Sequence, residues 1–335
     1  MAVLATTNPT LIDVATRQDP NGQIAVIAEI LNETNEVLTD MTMIEGNLPT
    51  GHRTTVRTGI PAPTWRRLYG GVQPTKSTTA QITDSTGNLE AYAEVDKKLA
   101  DLNGNTSEFR LSEDRAFIEG MSQEAAETIF YGDERENPER FTGLAARYNS
   151  RQESVAANYE NVIHGGGAGA DNASIWLVGW GPNTCHGIYP RGMTGGLNMQ
   201  DLGEVTIENV DGQNGRMQAY RSHYQWDLGL TLRDWRYVVR IANIDRSELT
   251  ADASSGANLP DLMFEAYERI PNITSARFAW YADRSIITKI RQQTAAGVRQ
   301  STLTTDEVGG VLVTSFNQIP LRRTDALAVN EALVS

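Results

Sequence analysis

The chain has 335 residues, enough for one large domain or two modest ones with a real core. Its 29 basic residues against 42 acidic ones leave a formal charge of −13, so the protein as a whole repels nucleic acid. The single cysteine, Cys185, excludes an internal disulfide framework or a cysteine-built zinc site. With no basic leader before an apolar run and no 18-residue apolar stretch, a soluble protein of a reducing cytoplasm is expected.

In chain order, residues 10–45 read as a helical arm. "GQIAVIAEILNETNEVL" places Ile24, Ile27, Ile30 and Leu31 on one face, with Glu29, Glu33 and Glu36 elsewhere. Residues 46–83 then contain no Asp or Glu, although the flanks are acidic: residues 1–45 hold seven acids against Arg17, and residues 84–139 hold 15 against five bases. This stretch carries Arg53, Arg57, Arg66, Arg67 and Lys76, with Trp65 and Tyr69 among them. Thr54, Val56 and Thr58, and later Thr79, Gln81 and Thr83, alternate like strands, while "GIPAPTW" and "YGGVQP" read as turns. A two-stranded ribbon of this kind is barely stable alone, so it must lie on something.

The clearest helix spans residues 107–131. Phe117, Met121, Ala125 and Ile129 form an i, i+4 ridge, Glu113, Glu119, Glu124 and Glu127 ride on other faces, and Gly132 is placed to end it. From Ser174 the pattern turns to strands: "SIWLVGWG", "CHGIYP", "EVTIENV" and "YQWDLGLTLRDWRYVVRIANI". A helix is expected over 259–270 with Asn258 as cap and Pro260 near its start. "ARFAWYA" reads as a strand, Asp283 caps a helix in "RSIITKIRQQTA", and the C-terminal "GGVLVTSFNQIPLRRTDALAV" is strand-like. The class is α+β, without internal repeats.

Little in this pattern carries catalysis. His52, His164, His186 and His223 share no metal-ligand spacing and read as ordinary polar or turn histidines. "HGGGAGAD" (164–171) lacks the Lys-Ser/Thr of a phosphate-binding loop and reads as a mobile surface loop. Cys185 and His186 are adjacent in a strand and so point to opposite faces, which prevents them from acting as a pair. No GxSxG elbow is present. No catalytic residue, cofactor or metal ligand is expected. The basic arm, with Trp65 and Tyr69 for stacking, has a rival reading as a nucleic-acid patch. Its thin charge and acidic surroundings argue instead for another copy of the same chain.

The order of these segments resembles the major capsid proteins of tailed bacteriophages, with the Hong Kong 97-type fold. The residues that carry it are "TGHRTTVRTGIPAPTWRRLYGGVQPTKSTT" and "GNLEAYAEVDKKLADL" as an extended loop, then "FRLSEDRAFIEGMSQEAAETIFYGD" as a spine helix. "NPERFTGLAARYN" follows as a turn, and "LPDLMFEAYERIPN", "ARFAWYADRSIITKIRQQ" and "GGVLVTSFNQIPLRRTDAL" form the ending. The resemblance implies an N-terminal arm over 1–47, an extended β-hairpin loop over 48–103, and a peripheral domain with the spine helix over 104–152. A mixed α/β axial domain follows over 153–300, and C-terminal strands over 301–335 return to the peripheral domain.

It implies hexamers and pentamers in an icosahedral shell around phage double-stranded DNA, contacted non-specifically. Assembly is expected in the host bacterial cytoplasm, with a portal, and no membrane is involved. The absence of a long segment before the arm suggests a separate scaffolding protein and no large propeptide removal. A decoration protein stays open, as does covalent cross-linking, for which Lys76 is only suggestive. Arg53, Arg57, Trp65, Arg66, Arg67, Tyr69 and Lys76 of one subunit are expected to meet Glu113, Asp114, Glu119, Glu124 or Glu127 of the next. The alternatives are an encapsulin-like compartment shell and, further back, a soluble α+β enzyme.

Overall fold

The computed structural model describes residues 35–102, 106–208, 215–296, 303–308 and 311–335. The helical reading of residues 10–34 lies outside them.

The centre of the molecule is a sheet covered on both faces. Strand β5 (Asn172–Trp180) lies between β9 (Val238–Asp245) and β10 (Arg277–Ala282), antiparallel to both. All nine residues of β5 and all eight of β9 are buried. This explains why "SIWLV" and "VVRIANI" read as continuous apolar runs without alternation. On one face Trp176, Val178, Trp180 and Tyr281 pack against the spine helix. On the other, Ile175, Leu177, Phe278 and Trp280 pack under α5 (Leu259–Glu268) and α6 (Arg284–Ala296). Each large side chain fully removed from water contributes about 1.5–3 kcal/mol, so these two layers hold most of the stability.

The spine helix, α3 (Thr106–Tyr131), follows the short helices α1 (Val37–Asp40) and α2 (Lys97–Ala100). The expected ridge is present: Met121, Ala125 and Ile129 are buried, and Phe117 stacks on Tyr224 with ring centroids 6.2 Å apart. Gly132 ends the helix through close contact, since a Cβ there would lie 2.3 Å from the Phe141 carbonyl oxygen. After it, α4 (Leu144–Arg147) buries Leu144 beside Tyr148.

Strand β2 (Gly51–Gly59) pairs with the outer part of β3 (Thr78–Asp96), Arg53 opposite Thr83 and Val56 opposite Ala80. From Thr86 inward, β3 pairs with β8 (Arg216–Leu232), which also holds β7 (Asn198–Glu208) and β6 (Cys185–Tyr189). The short β1 (Met43–Glu45) adds to β6, and β4 (Val162–His164) adds to β9. Together with β11 (Leu303–Val308), β12 (Val311–Phe316) and β13 (Ile319–Arg323), the described strands form a linked sheet of 13.

Several expectations need correction. Residues 35–45 are not a helical arm without a core: a single turn and a strand, they bury Val37 and Met41 in the body. Asp40 fastens them, accepting from Arg277 Nη2 at 2.6 Å, Tyr281 Oη at 3.0 Å and Arg322 Nε at 3.0 Å. The glycine run after His164 lies at the surface but packs two of its residues, Gly165 and Gly167, into the body. Gly165 and Gly167 donate to the carbonyls of Ala242 and Asn243, and a Cβ on either would lie within 3 Å of β9 atoms.

Asn258 takes the cap position of α5, but Gln293 Oε1 accepts from Leu259 N in its place, at 2.9 Å. Asp283 does cap α6, accepting from Ser285 N at 2.7 Å. The C-terminal stretch is a hairpin, turning at Asn317 and Gln318, both with positive φ as a two-residue type I′ turn requires. Its strand β13 pairs with β10, and the segment beyond Thr324 reaches the spine helix, where Ala328 N donates to Tyr131 Oη at 3.0 Å.

Candidate assembly interface

The basic stretch rises from the body as a ribbon. Outside Asp84 its two strands pair with each other, Arg53 Nε donating to Thr83 Oγ1 at 3.2 Å and Thr58 Oγ1 meeting Thr78 Oγ1 at 3.1 Å, while Asn47 brackets the Arg53 backbone. Between them residues 60–77 form no strand, and the chain reverses at Leu68–Tyr69, where Tyr69 has a φ of 64° and Gly70 N donates to Arg67 O at 3.0 Å. The tip is apolar and bare. Trp65 and Tyr69 are as exposed as in an extended peptide (105% and 106%), and Ile60 and Leu68 are 86% and 85% exposed. Arg53, Arg57, Arg66, Arg67 and Lys76 are also exposed, and among the described residues no carboxylate pairs with them.

The spine helix presents its acids unevenly. Asp114 is buried against the chain's own Tyr224, whose hydroxyl pKa is raised by burial and then by that carboxylate. Within the subunit Asp114 is the least open of the expected acceptors. Glu124 already receives Arg140 Nη2 at 2.6 Å, and the same guanidinium lies 4.0 Å from Glu127. Glu119 accepts from Gln123 Nε2 at 3.0 Å, Glu113 is half-buried and Glu127 is exposed. Beside these acids two open grooves flank the helix. One runs between α3 and β3 over Leu89, Ala91, Phe117 and Met121, with Glu90 and Glu124 on its rim. The other lies between Glu124, Glu127, Tyr131 and the tail at Ala326–Ala328. Gly120 lines both, and a Cβ there would meet nothing within 4 Å.

The residues singled out for chemistry are built into the structure. Cys185 is buried in the core and burial pushes its thiol up to about 12, so it is not a nucleophile at neutral pH. His186 lies beside His52, with burial pulling its imidazole down to about 4.

Sequence reasoning missed the polar knot that closes the chain. Arg240, buried in β9, donates to Glu331 Oε2 at 2.8 Å and to the Tyr148 carbonyl at 2.9 Å. It also lies over the Trp176 ring. Glu331 accepts in addition from Tyr131 Oη at 2.5 Å and from Ser174 Oγ. Asn243 clamps the backbone of Val334 through both its N–H and its carbonyl. These partners lie 91 to 200 residues apart, so no local spacing announces them.

A bare ribbon, a long spine helix across its root and a doubly covered central sheet define a shell-building protein of the Hong Kong 97-type capsid class. The comparisons give the particular family. Residues 19–335 match the family described as major capsid protein GP7, and the chain belongs to it. The chain is 35% identical to a protein in the cryo-EM structure of bacteriophage Epsilon15, over 100% of both chains and with a TM-score of 0.79. It also aligns with the capsid of a native GTA particle at 12% identity, covering 71% of this chain and 99% of that one with a TM-score of 0.46. The SrpI encapsulin of Synechococcus elongatus aligns at 12% identity, over 70% and 96%, with a TM-score of 0.41. Those two likenesses are too loose to carry an argument. No curated protein matches the sequence. The protein is thus a structural component of a bacteriophage virion, a major capsid protein of its icosahedral shell.

Proposed function

We propose that the chain assembles as hexamers and pentamers enclosing double-stranded DNA, with the ribbon of each subunit laid across the spine helix of the next. The observation that carries this is the tip itself. Ile60, Trp65, Leu68 and Tyr69 are almost wholly exposed in one subunit, and contiguous exposed apolar surface marks an interaction site. The charge pattern supports the same partner: Arg53, Arg57, Arg66, Arg67 and Lys76 on the ribbon meet no carboxylate among the described residues, and Glu113, Glu119, Glu124 and Glu127 lie along the helix. Gly120 supports the crossing point. A mid-helix glycine costs about 0.5–1 kcal/mol relative to alanine, and among the described residues nothing lies within 4 Å of a Cβ placed there, which leaves room for a neighbour's chain to cross closely.

Burial of the tip supplies most of the affinity, because exposed ion pairs contribute only about 0–1 kcal/mol each. On this reading residues 1–47 are the arm, 48–103 the extended loop, 104–152 the peripheral domain and 153–300 the axial domain. Residues 301–335 are the strands that lead back to the peripheral domain. Assembly takes place in the host cytoplasm, with a portal and a separate scaffolding protein as partners and packaged DNA contacted without sequence preference. A decoration protein would bind outside. The chain carries structure, not catalysis.

The test is charge reversal with rescue. Arg66→Glu with Arg67→Glu should abolish shells in electron micrographs or make them fall apart in salt, and Glu119→Lys with Glu127→Lys should restore them. Unaffected assembly in the first variant refutes the ribbon-to-helix contact.

A further inference from the structure

Where the ribbon joins the body, a group of polar side chains is packed around two histidines. His52 of β2 and His186 of β6 meet edge to face, ring centroids 5.8 Å apart and planes at 80°. His186 is buried, and its Nδ1 has no hydrogen-bond partner among the described residues. His52 Nδ1 accepts from Asn47 N at 3.3 Å, within a turn where Asn47 also brackets Arg53, donating to its carbonyl and accepting from its N–H at 2.7 Å each. The His52 ring is therefore neutral at Nδ1, and a proton there would set one N–H against another.

Charges face the pair from every side. Across the ladder stands Asp84, buried and tied to Arg147 of α4 at 2.9 Å, with its Oδ2 unpartnered. Arg233, just past β8, sends positive charge toward both rings. The Gly181 carbonyl is a backbone group that favours a charged His186, and Cys185 points away into the core.

This cluster sits at a mechanical boundary. Outward from Asp84 the ribbon strands pair with each other and, at Arg53, with Asn47, whereas inward from Thr86 β3 is fixed by β8. Further ties at the root are Leu48 N to Gly51 O at 3.1 Å, Thr86 N to Thr50 O at 3.2 Å and Ser85 Oγ to Glu134 Oε2 at 2.7 Å. We propose that the His52–His186 pair is a proton-sensitive joint, which holds the ribbon root closed while both rings are neutral and loosens it when they take up protons. The first proton breaks the Asn47 bond and puts a cation edge-on to the second ring beside Arg233. The second charges a buried ring.

The direction follows from linkage. Burial, aided by Arg233, lowers His52, and burial, then His52 and Arg233, lowers His186 to about 4. Groups lowered in the closed state stabilise it above their free value of 6.5, and that stability is lost as pH falls from there toward 4. A histidine moving between these values shifts root opening by roughly thirtyfold at pH 5.

Hydrogen exchange of the full-length chain at pH 7.5 and pH 5.0, corrected for intrinsic rates, tests this. Amides of residues 47–56 and 80–86 should exchange at least tenfold faster at pH 5, with β9 changed less than twofold. His52→Gln with His186→Gln, which cannot titrate, should remove the difference. Retention of the difference in that variant, or equal acceleration in β9, overturns the proposal. If the variant does not fold, the side-chain NMR titration of His186 in the wild-type chain decides. Titration below pH 5 sustains the joint, and titration near 6.5 overturns it.

Discussion

The ribbon and the central sheet are both β-structure, yet they are held by different forces. In β5, β9 and β10 each strand has a neighbour on both edges and helices on both faces, and Trp176, Trp180 and Trp280 are wholly buried. In the ribbon, β2 and the outer half of β3 share one ladder with no covering layer among the described residues, and the largest side chains lie outside it. A ladder of that kind gives each residue a backbone bond but removes little apolar surface from water, so it barely offsets the chain entropy it costs. The sheet makes the subunit stable. The ribbon keeps its apolar surface for a partner, and that surface is available because no core of its own consumes it.

Substitutions can break or sharpen this contrast. The largest effect is expected at the knot that closes the central sheet. Glu331→Ala leaves the Arg240 guanidinium buried without its carboxylate, and the Tyr131 and Ser174 hydroxyls without their acceptor. Breaking a buried pair in this way costs about 3–5 kcal/mol, which should appear as a large drop in the urea midpoint or as insoluble protein. A midpoint near wild type would mean that the tail is not part of the folding unit. Asp40→Asn is next. It weakens the acceptor shared by Arg277, Tyr281 and Arg322, and about 1–3 kcal/mol should be lost, read as a lowered thermal midpoint.

A deletion of one methyl in the α6 layer, Ile290→Val, should cost about 0.5–1.5 kcal/mol, because Ile290 is wholly buried. The same denaturant series reads it. At the small end stands Trp65→Ala. Although a larger side chain is removed, subunit stability should stay within about 0.5 kcal/mol, because the indole touches little of its own chain. Shell yield, by contrast, should collapse. Equal losses of stability for Trp65→Ala and Ile290→Val would erase the contrast between the two regions.

The joint between the regions is where local reasoning was weakest. Cys185 and His186 were read as a pair to be excluded, which their opposite placement in β6 supports, but nothing local shows that His52, 134 positions earlier, lies edge-on to His186. By composition the glycines after His164 read as a surface loop. Composition does not reveal that β9 would run within 3 Å of a Cβ at Gly165.

What the sequence alone determined is what short-range periodicity and residue chemistry can encode. The ridge Phe117–Met121–Ala125–Ile129 specified the spine helix because residues four apart share a helix face whatever the context. The alternation around Thr54 and Gln81 specified the ribbon, and the absence of acids from 46 to 83 marked it as a surface set apart. The order of the segments was enough to indicate a capsid protein. Only the tertiary structure decided which charges are available. Asp114 and Glu124 sit on the same helix as Glu127 and read alike, yet one is buried beside Tyr224 and one holds Arg140. Likewise Glu331, Arg240 and Asp40 look like ordinary surface charges in the chain. They become a buried ion pair and a buried carboxylate that gathers Arg277, Tyr281 and Arg322, because strands and segments far apart in sequence converge there. A charge is costly or cheap according to the water around it, and that water is fixed by packing at long range.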